Sequence, residues 1–369
     1  MQERKNPLDD IYLGLAGHLE KLIMGYPFNP ALLDLLKDMF SPREALVATA
    51  IPNTLLPFEV VDPDMVASRA RLPAPEVSEI LSGLARRHLL YTAQTSGGRP
   101  GYALLQVGYG FPQTFTWAGG RDEYTERMSR HVVNYFNIPT THKVYGGMST
   151  KPYKYAPAQN AAIAPLERVL PCEQIGPIVE AASRIAVAHC PCRMSAAVLG
   201  RACPHSLEVC LKYDELAEYV MDHGLARAVS KDEALHILRR CEEEGLVHMV
   251  DNAQQQIKHT CNCCGDYCWN VGIIRRRKIP RDDLMAVYFI RETLHERCTG
   301  CNACAEICPV SAVKIADQRA QIDLDWCIGC GVCAGVCPAG AITIKRRIPE
   351  DAPESLEQLH RQIRQERNL

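Results

Sequence analysis

The chain has 369 residues, 47% of them hydrophobic and 23% charged, with a formal net charge of −2. Composition of this kind fits roughly two to four globular domains and excludes a disordered or collagen-like chain. The near-neutral balance argues against a dedicated nucleic-acid or anionic-membrane binder, and no apolar run reaches membrane-spanning length.

Cysteine is the outlier. There are 18, none before Cys172. A secreted chain held by disulfides would spread them throughout. Here they cluster in metal-ligand spacings, behind an opening (MQERKNPLDDIY) that lacks a signal-peptide core. The pattern predicts a reducing, cytoplasmic location and bound metal.

In chain order, residues 1–40 predict amphipathic helices, with Ile11, Leu13, Leu15, Leu19, Leu22 and Ile23 on the apolar side and Pro27 and Pro30 as the break. Residues 41–140 read as winged-helix-like. Ser41 caps a helix, with Glu44 three residues on as a capping box. DPDMVASRARL and PEVSEILSGLARRHLLY follow as two helices about the turn at Pro73–Pro75. The second carries a core stripe of Val77, Ile80, Leu81 and Leu84. Thr92 to Leu105 forms a wing around GGRPG. In a helix-turn-helix the start of the second helix meets the DNA groove. Glu76, Ser78, Glu79 and Ser82 would stand there, and two carboxylates oppose phosphates. The expectation is a docking or scaffold role rather than nucleic-acid binding. Residues 141–169, rich in Gly, Pro and Tyr (VYGGMSTKPYKYAPAQ), read as a connector.

Residues 170–272 form a cysteine-rich middle domain. A helix from Pro177 leads to AVAHCPCR, read as a short strand and loop. Two helices follow, YDELAEYVMDHG and SKDEALHILRRCEEEGL. Ser230 caps the second, Gly245 ends it, and the strand LVHMV comes next, giving another winged-helix-type half. Eight cysteines stand in loops: Cys190, Cys192, Cys203, Cys210, Cys261, Cys263, Cys264 and Cys268. Eight loop thiols are hard to explain as packing. Soft thiolates select iron–sulfur clusters or zinc. Adjacent sulfurs in C-x-C and C-C pairs point in different directions, so neighbours need not share a metal. Two four-ligand sites account for all eight; one cluster plus spare thiols is the alternative. Cys241 reads as a core thiol and Cys172 is unassigned. His189, His205 and His259 read as hydrogen-bonding neighbours of the ligands, and Arg193 as a donor to a cluster sulfur.

Residues 273–288 (with IIRRRKIPR) read as a basic linker or a patch for an acidic redox partner. Residues 289–346 hold the strongest signal. CTGCNACAEICP and CIGCGVCAGVCP are two C-x2-C-x2-C-x3-C-P runs, 29 residues apart. This is the bacterial dicluster ferredoxin spacing. Three closely spaced cysteines curl a loop about one iron–sulfur cube, while the fourth, on a short helix, faces the other cube. The expected ligand sets are Cys298, Cys301, Cys304 and Cys337, and Cys327, Cys330, Cys333 and Cys308. The repeat predicts a (βαβ)2 fold. Residues 347–369 read as a charged, helix-prone tail with Ser355 as its cap.

HCPCR, CPHSLEVCLKYDELAEYV, SKDEALHILRRCEEEGLVH and CNCC, followed by the doubled run, resemble a family of multi-cluster ferredoxin-like proteins of anaerobic bacteria and archaea. The resemblance covers about the last 200 residues and, loosely, the N-terminus. Such proteins commonly continue with adjacent cysteines after CNCC; here GDYCW leaves only Cys268. The resemblance implies electron transfer. The chain as a whole is expected to be α+β, with two [4Fe–4S] clusters, one or two further clusters and a partner oxidoreductase. A redox-sensing winged-helix regulator and a catalytic subunit with an open-site middle cluster are the alternatives.

Overall fold

The structure, a computed structural model, describes residues 7–110, 113–159, 161, 163 and 169–369. It is mixed helix and sheet. The first part runs α1 (Pro7–Glu20), α2 (Pro30–Met39), α3 (Pro42–Ala50), α4 (Pro63–Ala70), α5 (Ala74–Arg86), β1 (Leu90–Gln94) and β2 (Pro100–Leu104). Ser41 and Glu44 form the expected reciprocal cap: Glu44 N donates to Ser41 Oγ at 3.3 Å, and Ser41 N to the Glu44 carboxylate at 2.8 Å. Val77, Leu81 and Leu84 are buried at helical spacing, and β1 and β2 form an antiparallel hairpin to which Val61 adds a bridge at Tyr102.

Next come α6 (Thr114–Trp117), α7 (Glu123–Tyr135), α8 (Ile138–Tyr145) and β3 (Tyr153–Ala156). The middle region holds α9 (Ile175–Ala181), β4 (Ile185–His189), α10 (Pro191–Val198), β5 (Glu208–Tyr213), α11 (Asp214–Asp222), β6 (Arg227–Ala228), α12 (Lys231–Glu243), β7 (Val247–Asp251) and β8 (His259–Cys263). Six of these strands make one antiparallel sheet in the order β3-β7-β8-β5-β4-β6. Two expectations change. The segment read as a connector supplies β3, because Tyr153 and Tyr155 are buried against β7 and the core. The segment CPCR is not a loop: Pro191 opens α10, where its missing N–H costs nothing.

Strand alternation divides the sheet into two faces. Val187, Val209, Leu211 and Val250 pack in one core with Ile178 of α9 and Ile237 and Leu238 of α12. Ala186, Ala188, Cys210, Met249 and Cys263 belong to the other, larger core.

Helices α13 (Val271–Arg275) and α14 (Arg281–Leu284) occupy the stretch read as a solvated basic linker. Ile273, Ile274, Ile279, Leu284 and Met285 are buried between the arginines, so the segment packs instead of spanning solvent. Its arginines are committed internally. Arg275 pairs with Asp266 at 2.7 Å, and Arg277 donates to Val310 O at 2.7 Å and Ser311 O at 2.9 Å.

The last part is β9 (Phe289–Thr293), α15 (Ala303–Glu306), β10 (Val313–Ala316), β11 (Arg319–Ile322), α16 (Val332–Gly335), β12 (Ile342–Arg346) and α17 (Leu356–Glu366). β9 pairs with β12 and β10 with β11, all antiparallel, giving two βαβ units. The charged tail is not free. Ser355 caps α17 by accepting from Gln358 N at 3.1 Å, and Leu359 and Ile363 are buried. Glu366 accepts from Thr150, and Arg367 donates to Leu22 O at 3.3 Å, so the helix ties the first part to the middle. No described helix is long and apolar enough to cross a membrane.

His360 sits at that junction, fully buried. Its Nδ1–H donates to Leu356 O at 2.8 Å, and Tyr109 Oη lies 3.3 Å from its Nε2. Burial holds the imidazole down to about 4. The folded chain therefore holds it neutral, whereas the unfolded chain protonates it near 6.5. The stabilisation is complete above pH 6.5 and is lost as pH falls toward 4, by at most about 3 kcal/mol. Anaerobic denaturant titrations between pH 7 and pH 4.5 are expected to show this decline. His360→Asn is expected to be less stable at pH 7, with a flatter slope.

Candidate metal centre

β5 and β8 are paired with Leu211 opposite Thr260 and Lys212 opposite His259. Alternation then places Cys210, Cys261 and Cys263 on one sheet face, and the Cys210 and Cys261 sulfurs lie 4.0 Å apart. Small residues, Ala186 and Ala188, flank them on β4. Cys190, N-cap of α10, and Cys192 in its first turn reach the same space, as does Cys268 from the loop after β8. All six line a cavity of about 70 Å³.

The six thiols form a continuous chain of sulfur contacts. Hydrogen bonds from Cys192, from Cys210 and Cys263, and from Cys192 and Cys263 pull Cys190, Cys261 and Cys268 down in turn. The three donors are pushed up by the same contacts and by burial. Cations face this negative cavity. Lys212 is buried, with Nζ 4.3 Å from the Trp117 ring centre, and its charge bears on Cys210. Burial opposes charge on His259, but Asp251 at 3.1 Å overrides it and raises the imidazole to about 9, with the ring against Cys261. Arg193, with no exposed surface, donates from Nη1 to Asn262 O at 3.0 Å and faces Cys190, Cys264 and Cys263.

The other two predicted middle ligands go elsewhere. Cys264 follows β8 and packs in the opposite core with Cys203. Neither lines the six-thiol cavity. Cys241 is buried within α12, as read from the sequence, and Cys172 is buried beside Lys154. Among the flanking histidines, only His259 touches the six-thiol group. His189 packs on α6, its Nδ1 3.2 Å from Trp117 O. His205 approaches Asp266.

In the C-terminal part, Cys298, Cys301, Cys304 and Cys337 line one cavity with Gly300 and Arg291. Cys337, the last cysteine of the second run, thus stands with the first three of the first run. The sulfurs that act on Cys330 are those of Cys333, Cys308 and Cys327. The two loops repeat their backbone. Gly300 and Gly329, and Asn302 and Gly331, all have positive φ, between 64° and 74°. A Cβ on Gly329 would meet Phe289 O at 2.0 Å, so only glycine fits. Backbone N–H groups aim at sulfur: Ala320 at Cys298 (3.4 Å), Ala312 at Cys308 (3.3 Å) and Ala341 at Cys337 (3.3 Å). Four soft thiolates per site, with amides turned toward them, fit a [4Fe–4S] cluster, and these eight residues would hold two.

Three positioned residues carried no local signal in the sequence. Arg291 is buried between Cys304 and Cys333, one cysteine from each set, and their charges raise it against burial. Tyr155 is buried with no hydrogen-bond partner for its hydroxyl among the described residues. Burial pushes that phenol far up, and Cys263 and Cys268 of the six-thiol group and Cys330 of the second ferredoxin set add to it. Asp266 is the third. Periodicity cannot flag such residues, since each matters only through contacts made across the fold.

The ferredoxin part is clamped to the middle by that second set. Ala158 N donates to Cys330 O at 2.9 Å, Arg281 donates to Cys327 O, and the Arg277 guanidinium lies 4.6 Å from the Trp326 ring centre. Cys301 of the first set is exposed.

Residues 297–341 match the family model of the 4Fe-4S dicluster domain. No curated protein and no solved structure matches the chain. The C-terminal part thus carries a ferredoxin-type 4Fe-4S dicluster domain.

Interleaving has a direct test. Cys301→Ser with Cys337→Ser removes two ligands of one set, and about four irons per chain should be lost. Cys330→Ser with Cys337→Ser removes one ligand from each set, and the loss should approach eight. Anaerobic iron analysis reads the difference; equal losses would contradict the assignment.

Proposed function

We propose that the chain relays single electrons between a partner oxidoreductase, met at the exposed end of the ferredoxin domain, and a third centre held by the six cysteines of the middle domain. A [4Fe–4S] cluster exchanges one electron and supplies the redox chemistry. The rest of the proposal concerns what this chain's residues do. The observation that carries it is the junction just after β3, where Ala158 N donates to Cys330 O at 2.9 Å and the buried Tyr155 hydroxyl is under the influence of Cys330 as well as Cys263 and Cys268.

Exposure of Cys301 supports partner contact at the first set, while the clamp on Cys327 and Cys330 turns the second set toward the middle. Arg291 spans the two sets and holds Cys304 and Cys333 beside a fixed positive charge, which favours the reduced state of both. Lys212, His259 and Arg193 do the same for the six-thiol centre. A reducing, cytoplasmic location suits this reading, since it assigns the cysteines to metal-ligand sets rather than to disulfides.

The winged-helix-like arrangement of α3, α4, α5 and the β1–β2 hairpin serves in this reading as scaffold. The hairpin is occupied by the middle domain: Tyr219 Oη donates to Leu90 O at 3.1 Å and Thr92 Oγ1 lies 2.8 Å from His223 Nε2. At the start of α5, Glu76 is paired with Arg43 at 2.7 Å, and Arg99 on the wing with Asp64 at 2.8 Å. Neither arrangement offers free positive charge to a phosphate backbone.

The test is an anaerobic reductive titration followed by electron paramagnetic resonance. Three one-electron centres per chain are expected; uptake of two electrons only would remove the middle centre from the relay. Tyr155→Phe deletes one hydroxyl donor and little else. It is expected to lower the potential of an adjoining centre by about 1 kcal/mol, on the order of 40 mV for a one-electron couple. Unchanged potentials would place Tyr155 outside the path.

A further inference from the structure

Cys203 and Cys264 stand apart from the six-thiol cavity, yet they are not isolated. Cys264 leaves β8 on the face opposite Cys263 and meets Cys203 from the loop between α10 and β5. The two sulfurs and an Asp266 carboxylate oxygen all lie within 4.8 Å of one another. His205 brings its Nε2 to 3.7 Å from Asp266 Oδ2. Arg193, wholly buried, acts on Cys203 and Cys264 of this group and on Cys190 and Cys263 of the other, so both sets of sulfur share one fixed cation.

The surroundings are those of a built site. Asp266 Oδ1 accepts from Arg275 at 2.7 Å, which orients the carboxylate and leaves Oδ2 toward His205. Tyr267 N donates to Cys264 Sγ at 3.4 Å, and the N–H of His205 faces Cys203. The loop that carries Cys203 has no helix or strand of its own, and Tyr267 Oη holds it by a bond to Ala202 O at 3.1 Å.

We propose that Cys203, Cys264 and Asp266, with His205 as fourth donor, form a mononuclear zinc site distinct from the iron–sulfur centres. The donor set decides the metal. Two thiolates exclude calcium and magnesium, which take oxygen. A [4Fe–4S] cluster takes four cysteines, and only two are here. Mixed sulfur, oxygen and nitrogen donors in a four-fold set suit zinc. The bound ion joins the loop at Cys203 to the end of β8, one residue from Cys263. It therefore fixes the wall of the neighbouring cavity without taking part in redox chemistry.

The test is metal analysis of the full chain, purified without oxygen from cells supplied with iron and zinc, beside Cys203→Ser and Asp266→Ala variants. About one zinc per chain is expected, with zinc affinity reduced on the order of 100-fold or more in both variants. Iron per chain should stay unchanged. Zinc-edge X-ray absorption should show two sulfur ligands at about 2.3 Å. Loss of iron in the Cys203 variant would make this cysteine a cluster ligand and overturn the proposal. Zinc that is absent from the parent chain, or insensitive to both variants, would overturn it too, as would a Cys203–Cys264 disulfide in the anaerobic material. Should Cys203→Ser fail to accumulate, Asp266→Ala, at a partly exposed carboxylate, carries the same test.

Discussion

A sulfur anion buried away from water must be met by a cation or a metal. This chain buries many such sulfurs, and much of its architecture answers that demand. Burial, helped by the neighbouring sulfurs, pushes Cys333 up to about 12, with Arg291 as the opposing charge. In the middle domain, Arg193, Lys212 and His259 sit buried within reach of thiols, the last kept cationic by Asp251. Burying three cations and a carboxylate is expensive on its own account. In the proposed reading they answer the negative charge that metal-bound thiolates would bring.

Antiparallel alternation is the device that sorts the ligands. Cys261 and Cys263, two residues apart on β8, face Cys210 of the neighbouring strand, whereas Cys264 turns to the other side. A short CNCC motif thereby feeds two chemically different places. The same sheet carries Tyr155 at one edge, beside the ferredoxin domain. One scaffold thus places the six-thiol cavity, the neighbouring S2O group and the link to the C-terminal domain.

Much of this was legible in the sequence. The doubled run marks the dicluster domain through spacing that suits a curled loop, and Ser41, Ser230 and Ser355 mark helix starts because a hydroxyl beside orphan amides leaves a local trace. The hairpin after α5 followed from its glycines. The six-stranded sheet did not: β3 lies in a Gly- and Pro-rich stretch, and only its partner β7, about a hundred residues on, makes it a strand. Nor did the packed arginine segment, where charges hide the buried isoleucines between them. The division of eight middle cysteines into six and two depends on β-sheet register and on Arg193, and register is a property of pairing, not of one segment.

The central claim is that the six cavity thiols hold iron in addition to the ferredoxin domain. Anaerobic iron and acid-labile sulfide analysis, with Cys261→Ala as the companion, tests it most directly. The account predicts about twelve irons per parent chain, falling to about eight in the variant with the ferredoxin signals intact. About eight irons in both, with the six thiols freely reactive, would contradict it.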